Sequence, residues 1–292
     1  MTLSILVIYN PVAGRRWRRR VDRLLELLVA DGFKVRVELT AKRGDARQAA
    51  LEATDIDIFV AAGGDGTVNE IVDGVAARNT GDRVPTIAFL PLGTANVLAW
   101  ELGLPRSPAG LLHLITNGTT LTARPGIANG RRFVLMASVG LDARAVAAVK
   151  APSKRLLGGG AYVLAAITAL GMPPPRYKVT VDGRDFDART VIVTRARRYG
   201  GPFSLSPDAG LGTATIQVVM MKSYGVLSAL RYGMALALGR LHRLGDVTVV
   251  AGLNITIDGP NDDPVQIDGD IVTRLPLTIS LDSKAIPFLV PK

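Results

Sequence analysis

In the first 124 residues, short aliphatic runs alternate with stretches whose apolar positions recur every three or four residues. Leu3–Tyr9, Lys34–Leu39, Ile56–Ala61 and Thr86–Phe89 read as strands, and Trp17–Gly32, Asp45–Thr54 and Val68–Ala77 read as the helices between them. Strand and helix in this order predict an α/β domain, a Rossmann-like parallel sheet with helices on both faces. Such sheets bind ligands beyond the carboxyl ends of their strands, so the loops there are where chemistry is expected.

After about Arg124 the period changes. Helical spacing persists at Asp142–Lys150, Leu156–Leu170 and Tyr224–His242, but strands now follow strands at Tyr177–Val181, Thr190–Arg195, Thr215–Met220, Val247–Ile257, Val265–Ile267 and Leu275–Leu281. Asp182-Gly183 and Asp258-Gly259 stand where hairpin turns would reverse the chain. The second half is expected to be an antiparallel β-sandwich with helical insertions. The domains are therefore expected at 1–124, with the tail 284–292 able to pack back on it, and at 125–283. The break is marked only by Arg124-Pro125-Gly126.

Four loops of the first half carry the unusual residues. Gly63-Gly64-Asp65-Gly66-Thr67-Val68-Asn69-Glu70 follows a strand and opens a helix, where glycines allow main-chain N–H groups to approach a phosphate. A carboxylate repels phosphate, so Asp65 is expected to hold magnesium through water or to orient an acceptor hydroxyl. A plain strand-to-helix turn with Thr67 as its N-cap is the competing account. Asn10-Pro11-Val12-Ala13-Gly14, Thr40 with Gly44-Asp45-Ala46, and Leu90-Pro91-Leu92-Gly93-Thr94-Ala95-Asn96 follow the other strands. Small or hydroxyl-bearing turns after all four strands suit a nucleotide lying across the edge of the sheet.

The 292 residues include no cysteine and two histidines, which removes thiol and disulfide chemistry and leaves little for a histidine-based hydrolase or metal centre. A net charge of +10 calls for an anionic partner. Nucleic acid is not expected, because aromatic residues make up 5% of the chain and none interleave with a basic run as base stacking requires. No signal peptide is read at the N-terminus. The apolar stretch from Leu156 to Met172 is expected to be a buried or lipid-facing helix, short for a membrane span. Arg15-Arg16-Trp17-Arg18-Arg19-Arg20 suits the phosphates of ATP, an anionic membrane face, or plain solvation. In Tyr224–Leu244, Leu227, Leu230, Met234, Leu238 and Leu241 recur at helical spacing beside Arg231, Arg240 and Arg243. That face is expected to pack on the sandwich, with a membrane surface as the other reading.

NPVAG, GGDGTVNEIVDG and PLGTANVLA, in this order and spacing, resemble the diacylglycerol kinase catalytic-domain family, which includes bacterial lipid kinases and the sphingosine and ceramide kinases. The resemblance continues through Ser138-Val139-Gly140-Leu141-Asp142, Tyr199-Gly200-Gly201 with Ser206-Pro207-Asp208-Ala209, and Asp268-Gly269-Asp270. It implies an ATP-dependent lipid kinase acting at an anionic membrane as a cytoplasmic, peripherally associated protein. It also implies a phosphofructokinase-like nucleotide domain, a β-rich domain and a lipid head group in the cleft between them. Carried over, Asn10, Gly14, Thr40, Gly63, Gly64, Asp65, Gly66, Thr67, Asn69, Glu70, Gly93 and Thr94 would surround ATP and its Mg2+. Asp268-Gly269-Asp270 matches the family's Asp-Gly-Glu, so Asp65, Asp268 and Asp270 are the candidate catalytic acids, with the base open between the last two. Thr213 stands where the family usually has an Asp that helps hold a structural magnesium, so that second metal is not expected here. An NAD kinase-like activity, or a nucleotide- or lipid-binding protein without catalysis, are the other readings.

Overall fold

The computed structural model describes residues 2–14, 17–78, 83–148 and 175–292. The helix expected at Leu156–Leu170 and the residues Arg15 and Arg16 lie outside them. The chain forms two compact units, Met1–Arg124 with Ser283–Lys292, and Pro125–Asp282.

In the first unit β1 (Ser4–Tyr9), β2 (Lys34–Leu39), β3 (Ile58–Gly63), β4 (Thr86–Pro91), β5 (Thr119–Ala123) and β20 (Ile286–Val290) form one sheet in the order β2-β1-β3-β4-β20-β5. Neighbours from β2 through β20 run parallel and β5 is antiparallel to β20. The inner strands β1, β3 and β4 are buried almost throughout, as strands covered on both faces must be. KVRVEL of β2 is largely exposed, and its alternating charges suit an edge. Helix α1 (Pro11–Gly14) is a single turn, and α2 (Arg18–Ala30) buries Val21, Leu24 and Leu28, one stripe at helical spacing. Helices α3 (Asp45–Glu52), α4 (Asp65–Ala76), α5 (Val97–Glu101) and α6 (Pro108–Asn117) complete the unit.

The second unit holds β6 (Gly126–Ala128), β7 (Arg131–Phe133), β8 (Met136–Val139), β9 (Tyr177–Val181), β10 (Arg184–Ala188), β11 (Thr190–Thr194) and the short pair β12 (Arg198–Tyr199) and β13 (Phe203–Ser204). It continues with β14 (Ile216–Met221), β15 (Val247–Gly252), β16 (Ile255–Asp258), β17 (Pro264–Ile267), β18 (Asp270–Arg274) and β19 (Leu277–Leu281). Two six-stranded sheets result, β10-β9-β16-β19-β6-β7 and β15-β14-β11-β8-β17-β18. Val179, Val181, Ile255, Ile257 and Ile279 of the first share a core with Val191, Val193, Val218 and Val265 of the second. This is the sandwich that the period-two patterning predicts. Helices α7 (Leu141–Ala148) and α8 (Val226–Ala237) are its described helical insertions.

Three expectations change. Val247–Ile257 is not one strand, because the carboxylate of Asp182 accepts N–H bonds from Leu253 and Asn254 and breaks the ladder there. The two halves, β15 and β16, enter different sheets. Asp258-Gly259 is not a hairpin turn, since β16 and β17 also lie in different sheets. A Cβ on Gly259 would come within 2.7 Å of the Tyr177 ring, so close packing is what that glycine serves. The face of α8 does not pack on the sandwich: Leu241 beyond it is buried, but Leu227, Leu230, Met234 and Leu238 are exposed.

Candidate active site

The loops after β1 to β4 are tied to one another by main-chain and carboxylate bonds. Asn10 N–H donates to Ala62, and the carbonyl of Gly63 accepts from Leu92 and Gly93. A Cβ on Gly93 would lie 2.8 Å from the Cα of Gly64, so the two glycine-rich turns touch backbone to backbone. Only glycine permits that approach.

Asp65 is the first residue of α4, and its carboxylate reaches across to the next loop. Its oxygens accept from Val97 N–H at 2.9 Å and Leu98 N–H at 3.0 Å, satisfying the start of α5. Burial pushes its carboxyl above the ordinary range, against the pull of those amides. Asn96, at a φ of +46°, closes the same turn by accepting from Gly93 N–H and donating back to its carbonyl. Glu70 works the same way in the other direction, accepting from Gly44 N–H and Ala46 N–H at the start of α3. Both acids of the GGDGTVNE segment therefore bind main chain. The Asp65 carboxylate, expected to hold magnesium or orient an acceptor, spans from the start of α4 to the 93–98 turn. No group of three or more acidic or histidine side chains that could hold a metal occurs among the described residues.

Thr67 is not an N-cap. Gly64 caps α4, and Thr67 is buried inside the first turn, where a Cβ on Gly63 would strike its hydroxyl. Asn10 caps α1 by accepting from Val12 N–H, and Gly14 ends that turn. Thr40, buried at the end of β2, lines with Asp45 a cavity of about 450 Å³. Gly66 and Thr94 are exposed, whereas Asn69 is half-buried. The expected residues of the first unit thus cluster at the carboxyl edge of the parallel sheet.

In the second unit Asp268-Gly269 forms a two-residue hairpin between β17 and β18, with Ile267 opposite Asp270 and φ of +45° and +91° at the turn. The Asp268 carboxylate accepts three main-chain N–H bonds, from Val134 at 2.7 Å, Leu135 at 3.0 Å and Met136 at 2.8 Å. Asp270 is half-buried at the head of β18. The two acids that the sequence leaves equivalent have different surroundings.

A further acid joins them. Asp142, in the first turn of α7, accepts from the hydroxyls of Ser138 and Tyr199 and from Gln266 Nε2 at 3.3 Å. Burial pushes its carboxyl up, against those hydroxyl donors. Asp142 and Tyr199 lie in the wall of a mostly apolar pocket of about 230 Å³, with Leu141, Ile192, Leu205 and Leu236. Among its described lining residues Asp142 is the sole carboxylate. The motif resemblance contains Asp142, but no local spacing marks it as lining a pocket.

The loop bearing Thr213 is organised around a guanidinium. Arg195, 1% exposed, donates to the carbonyls of Leu211 and Thr213 and to Thr213 Oγ1 at 2.7 to 3.2 Å. Burial lowers its pKa to about 10, which leaves it charged at neutral pH.

Residues 4–127 match the diacylglycerol kinase catalytic domain, and residues 136–290 match the YegS C-terminal NAD kinase beta sandwich-like domain. The chain is 31% identical over 232 residues to the diacylglycerol kinase of Bacillus subtilis (strain 168), covering 77% of this chain and 76% of that one. It is 28% identical over 295 residues to a diacylglycerol kinase of Staphylococcus epidermidis, covering 98% and 92%. A crystal structure of a diacylglycerol kinase from Bacillus anthracis superposes with a TM-score of 0.77 at 26% identity, covering 98% of this chain and 96% of that one. With linked glycine turns on a parallel sheet, an acid-bearing hairpin on the sandwich and both domain matches in sequence order, the chain belongs to the diacylglycerol kinase and YegS-like family of lipid kinases.

Proposed function

We propose that this protein transfers the γ-phosphate of ATP to the hydroxyl of diacylglycerol or a closely related lipid, as a peripheral enzyme at an anionic membrane. The observation that carries the proposal is the mutual bonding of the loops after β1 to β4, which holds the glycine turns at 63–66 and 93–94 in one backbone surface. Main-chain N–H groups and a helix start at such a surface favour polyphosphate. Magnesium, entering with ATP, would neutralise the phosphates; Asn10, Thr40, Asn69 and Thr94 are the side chains proposed to flank the nucleotide.

The acceptor hydroxyl must lose its proton as its oxygen bonds to the γ-phosphorus and ADP leaves. We assign that proton to Asp270. Asp268 is a positioning residue, because its three main-chain N–H bonds hold the turn that presents its neighbour. Asp65 is likewise a positioning residue for the 93–98 turn. The apolar pocket beside Asp142 suits an acyl chain, with that carboxylate as acceptor for a polar head.

The test is incubation with radiolabelled ATP and diacylglycerol, ceramide, phosphatidylglycerol or NAD presented separately. Label in phosphatidate is expected. Label in NADP, with none in any lipid, would replace the proposal with the NAD kinase-like reading.

A further inference from the structure

Helix α8 has apolar residues on two sides. Inward, Ala229, Gly233 and Leu236 line the pocket that also holds Asp142. Outward, Leu227, Leu230, Met234 and Leu238 are 83%, 63%, 67% and 65% exposed, spaced 3, 4 and 4 residues apart along one face. Phe203, on the adjoining β13, is 43% exposed. A contiguous aliphatic stripe of this size is uncommon on a water-facing surface.

Along the segment that carries the stripe, every charged residue is a cation. Lys222, Arg231, Arg240 and Arg243 flank it and are exposed, while the segment 222–245 contains no Asp or Glu. Arg231 stacks over Tyr232 and bonds Asp246, which leaves the other three cations beyond that pair. An apolar stripe bordered by cations matches an anionic lipid surface, which offers acyl chains below and phosphate above.

We infer that the outer face of α8 inserts into the interface of an anionic bilayer, and that the helix thereby forms the wall between the membrane and the pocket. A lipid leaving the bilayer would then pass from the outer stripe to the pocket side of the same helix. The inference rests on the lipid-kinase reading, because it takes the acceptor to be drawn from a membrane.

The experiment measures vesicle flotation of the whole protein without ATP, on phosphatidylglycerol–phosphatidylcholine and on pure phosphatidylcholine vesicles. Phosphorylation of a short-chain diacylglycerol dissolved as monomer is measured separately. Leu227→Ser with Leu230→Ser is expected to lower partitioning onto anionic vesicles about 100-fold, from the aliphatic area removed. Arg240→Gln with Arg243→Gln is expected to weaken binding to the anionic vesicles about 30-fold and to leave partitioning onto pure phosphatidylcholine unchanged. Turnover of monomeric substrate should stay within about twofold for both variants. Unchanged flotation of the leucine variant would overturn the inference, as would an equal loss on monomeric substrate. So would a dimer that the leucine variant dissociates while the wild type ignores vesicles, since a second copy would then cover the stripe. Failure of the wild type to phosphorylate any lipid, monomeric or membrane-bound, would instead remove the functional reading while leaving flotation to decide the docking.

Discussion

Asp268→Asn separates the two acids of the hairpin. Asn tolerates the positive φ of this position about as well as Asp, so backbone strain does not confound the substitution. Its oxygen can keep the bonds from Leu135 and Met136, but the new NH2 then faces the N–H of Val134, donor against donor. One charge-assisted bond is lost and a donor beside buried Val134 goes unpaired, together about 2–4 kcal/mol. At roughly 2–4 °C per kcal/mol for a unit of this size, the melting temperature should fall by about 5–15 °C. Urea denaturation should show a lower midpoint with an unchanged slope. Asp270→Asn should fold and lower turnover roughly 10²–10⁴-fold, as loss of a general base does. The reasoning fails if Asp268→Asn melts like the wild type, or if Asp270→Asn keeps full turnover.

Three other perturbations follow from the same bonds. Asp65→Asn places an amide against the N–H of Val97 or Leu98, and about 1–3 kcal/mol of stability should be lost along with ATP affinity, read by calorimetric titration. Gly93→Ala puts a methyl 2.8 Å from Gly64 Cα and from Asn96 Oδ1, so ATP binding should weaken at least tenfold; wild-type affinity would show that the turns can part without cost. Asp142 is raised by burial above its ordinary 3.8, so the folded state holds this proton more tightly than the unfolded one. Stability contributed by the protonated form is present below about pH 4 and is lost as pH rises through the folded-state value. Asp142→Asn should therefore gain on the wild type as pH rises from about 4 in urea midpoints, and a constant difference across pH would refute the assignment.

Much of this molecule is written locally. The alternation of short aliphatic runs with helical spacing marks β1 to β4 and α2 to α4 to within a few residues, because period and turn chemistry act over neighbouring positions. Asp182-Gly183 reverses β9 into β10 as its sequence predicts, and the four glycine or hydroxyl turns fall after their strands. What tertiary structure alone decided are matters of partnership. The three amides that hold Asp268 come from residues 132 to 134 positions earlier, and nothing in Asp-Gly-Asp tells which carboxylate they will reach. The break at Leu253 depends on Asp182, 71 positions away. The stripe on α8 has the spacing of a buried face, and only the packing of the sandwich shows that Tyr232 and Ala235 turn inward while the leucines remain outside. Periodicity specifies that a face exists; what covers it is set by surfaces from distant parts of the chain.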